Sequence, residues 1–207
     1  MPELSNIQTF EKIEGTNFLP TLGRFSKVLK TLGLWNNEVA TAFDSFEWKV
    51  EDNGFVYSSG IGIDYLSLNS SQVRIRPLFS GYTADIDQTF EENWFGCQLL
   101  IPTEDLRDFG NLEYNSYTFD IVKLLSEAMH KEFKQTGVYF TDEAQDGEDF
   151  DGLRCDNTSF VWQFDYALIP MNLKHFYENL PDTHCMRLSD TNIEAWKKDV
   201  WKMKLSH

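Results

Sequence analysis

Trp94-Phe95-Gly96-Cys97-Gln98-Leu99-Leu100-Ile101 (WFGCQLLI) is a near-continuous apolar run that Pro102 stops. A run of this kind, without the alternation of a half-exposed strand, reads as a strand covered on both faces. Upstream of it, Val73 and Ile75 face away from Arg74 and Arg76 before Pro77 ends a strand. Ile61, Ile63 and Tyr65 alternate as well. Earlier still, Phe46, Trp48 and Val50 alternate with Glu47, Lys49 and Glu51, and Asp52-Asn53-Gly54 supplies a turn into Phe55-Val56-Tyr57. These segments predict a meander of three or four antiparallel strands, with Gly81-Tyr82-Thr83 as a further turn. Residues 1–44 read as helical. Leu22, Phe25, Val28, Leu29 and Leu32 recur at helical spacing after Pro20, and Gly33 serves as a left-handed cap. Val39, Ala40 and Phe43 extend the helical section by a turn or two.

Downstream of the run, Thr103 caps a short acidic helix at Glu104–Phe109. The clearest helix is Thr118–Gln135, whose stripe is Ile121, Val122, Leu125, Ala128, Met129 and Phe133, with Gly137 closing it. Val138-Tyr139-Phe140 reads as a short strand, and Phe160–Leu168 as a longer one that alternates cleanly up to Pro170. Thr191 and Glu194 have the spacing of a capping box, which predicts a C-terminal helix with Ile193, Trp196, Val200 and Met203 on one face. Lys197, Lys198, Lys202 and Lys204 would occupy its other face. The expected fold is therefore one α+β domain over residues 1–207. It has a helical section at 1–44, a sheet-rich body with one long helix at 45–170 and C-terminal helices at 171–207. About five to seven antiparallel strands are expected.

The formal charge of −15 lies almost wholly in two stretches. Asp85, Asp87, Glu91, Glu92, Glu104, Asp105, Asp108 and Glu113 stand against Arg107 alone. Asp142, Glu143, Asp146, Glu148, Asp149, Asp151 and Asp156 stand against Arg154. Charge so localised steers association with something positive. The sequence pI of about 4.6 excludes direct nucleic-acid binding, which needs clustered Lys and Arg to release counterions, and disfavours anionic membrane surfaces. Hydrophobic residues at 42 % and aromatics at 15 % are enough to build a core, so the acidity does not signal disorder. No apolar run reaches the roughly 18 residues of a membrane span. Met1-Pro2-Glu3-Leu4-Ser5 lacks the cationic and apolar parts of a signal peptide. Cys97, Cys155 and Cys185 are odd in number and far apart, which argues against a disulfide framework or zinc knuckle. A reducing, cytoplasmic setting is expected.

Catalytic chemistry finds little purchase. The Asp142–Asp156 loop fails the EF-hand spacing, because a required glycine at Gly152 would put Gly147 in the first ligand position. Asp85-Ile86-Asp87 with Glu91-Glu92 has the look of a metal-binding pair, yet no P-loop, dinucleotide fingerprint or H-E-x-x-H accompanies it. His130 sits beside the apolar stripe of its helix as a boundary residue, and His184-Cys185 would point opposite ways in an extended chain. There is no G-x-S-x-G elbow. No catalytic residue, metal ligand or cofactor is assigned, and a binding protein rather than an enzyme is expected.

The expected function is that of an acidic binding or inhibitor protein of the immunity type, which neutralises a basic partner such as a nuclease toxin. Asp85, Asp87, Glu91, Glu92, Asp142, Glu143, Asp146, Glu148, Asp149 and Asp151 would steer the partner. Trp94 would anchor it beside that charged rim, although the core competes for this side chain. An acidic mimic of nucleic acid and a divalent-metal-dependent enzyme are the alternatives. Mimicry predicts carboxylates spread over an extended surface, inhibition a compact patch.

Overall fold

The computed structural model describes residues 4–57, 63–68, 73–86, 90–108, 113–142 and 161–201. The apolar run forms strand β5 (Asn93–Pro102), buried at most positions. It pairs antiparallel with β1 (Leu4–Ile13) through all ten residues and with β4 (Arg74–Tyr82) on its other side. The remaining strands are β2 (Phe55–Tyr57), β3 (Leu66–Ser67), β6 (Arg107–Asp108), β7 (Glu113–Tyr114), β8 (Val138–Thr141), β9 (Tyr166–Pro170), β10 (His184–Leu188) and β11 (Asn192–Lys197). Nine of them make one antiparallel sheet in the order β10-β11-β9-β8-β1-β5-β4-β2, with β3 also on β4. Helices α1 (Leu19–Thr31), α2 (Asn37–Asp44) and α4 (Thr118–Glu132) lie on one face, while α3 (Thr103–Leu106) is a single turn after β5. The protein is α+β. Among the described residues no helix is long and apolar enough to cross a membrane.

The first segment departs most from expectation. Residues 4–13 are a strand rather than part of a helical section, and they join the β2–β5 half of the sheet to the β8–β11 half. Its composition conceals it, because Ser5, Gln8, Thr9 and Glu11 are buried together with Ile7, Phe10 and Ile13. Partners come from the tertiary structure: Thr9 Oγ1 donates to the Gly137 carbonyl (3.0 Å), and Glu11 forms an ion pair with Arg24 of α1. Burial nonetheless pushes the Glu11 carboxyl above its usual range, against the lowering effect of Arg24.

Strand β4 runs through Pro77 instead of ending there. On its outer edge β3 pairs only as far as Ile75 and β2 begins at Ser80, so Pro77 lies where no outer partner needs its missing N–H. Phe46–Lys49 is irregular, with Val50 alone bridging to Val56. Phe46 packs instead on Phe18, Phe79 and Phe95 in the core. Ile61 lies outside the described residues and Ile63 is not in a strand. Gly81 and Tyr82 end β4, so the turn moves to 84–86. Phe160 is outside the described residues, Val161-Trp162 form a turn, and the strand there is Tyr166–Pro170.

The expected C-terminal helix is a β-hairpin. Ser189 Oγ accepts the Asn192 N–H (3.1 Å), and Ser189 N–H donates to the Asn192 carbonyl (2.9 Å), so the Thr191 region caps a turn between β10 and β11. Ile193 and Ala195 then bury on one face while Glu194 and Trp196 bury on the other. Lys202, Met203 and Lys204 lie outside the described residues. By contrast α1 with Gly33 at φ 70° just beyond it, β5 and β8 stand where their patterns place them. Helix α4 begins at Thr118 as expected but ends at Glu132, where Phe133 turns extended to bury in the core, ahead of the expected Gln135 and Gly137.

Candidate functional site

Strand β5 separates the acids of the first stretch. Ten residues at about 3.4 Å each put its two ends about 30 Å apart. Asp85, Glu91 and Glu92 lie at the Asn93 end, exposed. Glu104, Asp105, Asp108 and Glu113 follow Pro102 at the other end. Asp142 joins this second group, because β8 runs antiparallel to β1 and places Thr141 opposite Asn6. Asp87, Glu143, Asp146, Glu148, Asp149 and Asp151 lie outside the described residues.

At the Pro102 end the carboxylates are held by cations. Asp105 accepts from the Arg74 backbone N–H (2.8 Å), its Nε (2.9 Å) and its Nη2 (2.8 Å), and Glu104 accepts from the same Nη2 (2.5 Å). These carboxylates drive the Arg74 guanidinium above its ordinary range. Asp142 forms an ion pair with Arg107 and accepts from Ser5 Oγ (3.0 Å). Arg107 in turn lies over the Tyr114 ring at 4.7 Å, and Tyr114 donates to Asp165 (3.2 Å). Asp165 reaches Lys197 at 3.3 Å, yet its burial outweighs that cation and raises its carboxyl. Asp142, Arg107, Tyr114, Asp165 and Lys197 thus form one connected network below the start of the second acidic stretch.

The Asn93 end is different. Gly54, at φ +82°, lets the 52–54 turn press against the 84–86 turn, and Thr83 Oγ1 donates to the Gly54 carbonyl (2.8 Å). A Cβ at Gly54 would come within 2.7 Å of the Ile86 nitrogen. This close approach brings Glu51 and Asp52, given no site role from the sequence, near Asp85, with Glu91 and Glu92 at the neighbouring strand start. Glu92 lies 3.7 Å from Lys12. Among the described residues Glu51, Asp52, Asp85 and Glu91 make no ion pair.

Next to these acids, on the sheet face away from α1 and α4, runs an aromatic ledge. Tyr57, 48 % exposed, stacks on Phe55 (5.4 Å); Phe55 meets Tyr82 edge-on (5.3 Å), and Tyr82 meets Phe10 (5.6 Å). Trp94 lies at the inner end of this row, 5 % exposed, packed with Phe10 and Phe90 and covered by Lys12 at 5.3 Å. The exposed aromatic of this row is therefore Tyr57, two residues along β2 from Phe55 at the turn. The clue was the exposed parity of a three-residue edge strand, which only pairing with β4 reveals.

The histidines and cysteines do not assemble a catalytic pair among the described residues. Cys97 is fully buried, which pushes its thiol well up. His184 is a core histidine, with Thr183 Oγ1 at one nitrogen (2.9 Å) and the Phe164 carbonyl at the other (3.0 Å). His184 and Cys185 do point to opposite faces, on β10. No group of three His, Cys, Asp or Glu able to hold a metal ion occurs among the described residues. His130 is more deeply placed than a boundary residue, 6 % exposed, and neither ring nitrogen has a hydrogen-bond partner. Burial, with help from Lys134, pushes its imidazole down to about 4, so it is neutral at pH 7. An orphaned buried polar group of this kind costs about 1–3 kcal/mol.

Comparison with protein-family models, with curated proteins and with solved structures finds no match to this chain. The functional reading therefore rests on the two ends of β5 and on what each can bind.

Proposed function

We propose that this chain is a binding protein that takes a basic protein partner at the Asn93 end of its sheet, in the manner of an inhibitor or immunity protein covering the cationic cleft of a nuclease toxin. The observation that carries this reading is the group of carboxylates Glu51, Asp52, Asp85 and Glu91, which make no ion pair among the described residues. They stand at the end of an aromatic row that leads through Phe55 to the exposed ring of Tyr57. Carboxylates without cations raise the partner's on-rate, and a rigid aromatic beside them supplies a surface to desolvate. Compactness favours a plug over a nucleic-acid mimic, since the carboxylates about 30 Å away are largely occupied by Arg74 and Arg107. The free thiols of Cys97 and Cys185 suit the reducing cytoplasm proposed for it.

The test is capture of inactivated nucleases of high pI at 50 and 300 mM NaCl, with wild type, Asp85→Lys/Glu91→Lys and Glu104→Lys. Binding that weakens at least tenfold with salt, disappears in the double reversal and survives in Glu104→Lys supports the proposal. Binding indifferent to the Asp85 and Glu91 reversals, or no capture from the panel, removes it.

A further inference from the structure

On the helix-covered face, at the far half of the sheet, α4, β9 and β11 line an open cavity of about 330 Å³. Lys123, Glu127 and His130 follow at i, i+4 and i+7, so one stripe beside the buried face of α4 delivers these three to its wall, and Lys134 joins them from just past the helix end at Glu132. Lys131 also lines it, and Glu194 reaches in from β11. The two carboxylates are already engaged. Glu194 accepts from Tyr166 (2.9 Å) and Lys123 (3.2 Å) and lies 3.7 Å from Arg187, while Glu127 lies 3.8 Å from Lys123. Lys131 and Lys134 make no ion pair among the described residues. His130 lines the same cavity, nine-tenths buried, with both ring nitrogens unpartnered. In a chain of net charge −15 this wall is locally cationic.

We propose that this cavity binds a phosphoryl dianion, with Lys131 and Lys134 neutralising it and His130 as the buried hydrogen-bond partner. Lysines act as point charges for phosphate, and no arginine lines the cavity to clamp a carboxylate in two-pronged fashion. Both ring nitrogens are shielded from solvent as well as unpartnered, so the imidazole meets an entering anion by turning toward it. The anion then supplies the missing partner, and its charge favours the imidazolium that burial and Lys134 otherwise oppose. The volume exceeds what one phosphoryl group fills, given about 30 Å³ per water in the liquid, so the site fits a small phosphate monoester better than free phosphate. Asn192, whose Oδ1 already accepts from Ser189 and Thr191, contributes its amide to the same wall.

Amide chemical-shift titrations with inorganic phosphate, phenyl phosphate and succinate, at ionic strength matched with sodium chloride, test this. Saturable shifts confined to residues 123–134 and 192–194, tighter for phenyl phosphate than for phosphate and at least tenfold weaker in Lys131→Met/Lys134→Met, are expected. Tighter binding of phosphate than of phenyl phosphate would overturn the monoester assignment, and equal binding of succinate would overturn the phosphoryl one. No saturation by 20 mM of either phosphate, or binding unchanged in the double lysine variant, overturns the site itself. His130→Asn is expected to weaken binding too. Should it unfold, the lysine variant decides the question by itself, since both of its positions are exposed.

Discussion

The two ends of β5 carry similar acids and treat them in opposite ways. At the Pro102 end Glu104, Asp105 and Asp142 are bonded to Arg74 and Arg107, and Asp142 also accepts from Ser5. At the Asn93 end Glu51, Asp52, Asp85 and Glu91 have no such cation among the described residues. Formal charge is thus a poor measure of charge on offer to a partner. An acid already paired with an arginine contributes to the protein's own structure, and only the unpaired group leaves a field in solution. The contrast also divides the first acidic stretch of the sequence, whose halves end about 30 Å apart.

Arg107→Met should produce the largest effect, because it leaves Asp142 partly buried and unpaired beside Ser5. A loss of about 3 kcal/mol is expected from denaturant unfolding, with a fall in melting temperature of roughly 6–12 °C for a chain of this size. A loss below about 1 kcal/mol would break the comparison, since the Pro102 end would then be no more structural than the other. At the Asn93 end the sensitive position is a glycine rather than an acid. Gly54→Ala combines a positive φ with a Cβ pressed on the Ile86 nitrogen, and should cost about 2 kcal/mol. It should also move Asp85 relative to Asp52, which weakens any partner bound there.

A comparable contribution, about 2 kcal/mol, belongs to neither end. His130 titrates near 4 in the fold against about 6.5 when unfolded, so the unfolded chain binds the extra proton between those values. Stability is therefore undiminished above pH 6.5 and falls as pH drops toward 4. His130→Leu should remove that part of the slope in urea titrations at pH 7.5, 6 and 5 in phosphate-free buffer. The slope remaining in the variant is then the share that the carboxylates carry. Smallest of all should be the stability change in Asp85→Lys/Glu91→Lys, within about 0.5 kcal/mol, although the same change abolishes the proposed binding. A marked gain in stability would sharpen the contrast, because it would measure the repulsion that the unpaired acids maintain.

The elements read correctly from sequence are those whose patterns are satisfied locally. The α4 stripe has one period and burial follows it, while the apolar run of β5, bounded by Pro102, is buried on both faces of the sheet. Strand β1 was invisible because polar Ser5, Gln8, Thr9 and Glu11 are buried in it, and Ser5, Thr9 and Glu11 find partners more than ten residues away. The β11 segment misled because Ile193 and Trp196, three apart, suit one helix face but bury on opposite faces of a strand covered on both sides. Thr191 with Glu194 also mimics a helix start, while Ser189 makes the turn. For the candidate site, Asp85 and Glu91 could be named in advance. Tyr57, Glu51 and Asp52 could not, since their neighbourhood depends on the contact of two turns around Gly54.

By itself the sequence determined that the chain is acidic, that its charge is clustered, that it can build an α+β core and where α4 and β5 lie. These follow from composition and from periods within a single segment. Which carboxylates remain free was decided only by the tertiary structure. Pairing of Arg74 with Asp105, of Arg107 with Asp142 and of Lys123 with Glu194 joins residues 31, 35 and 71 positions apart. Electrostatic partnership depends on distance in space, and chain folding alone sets that distance.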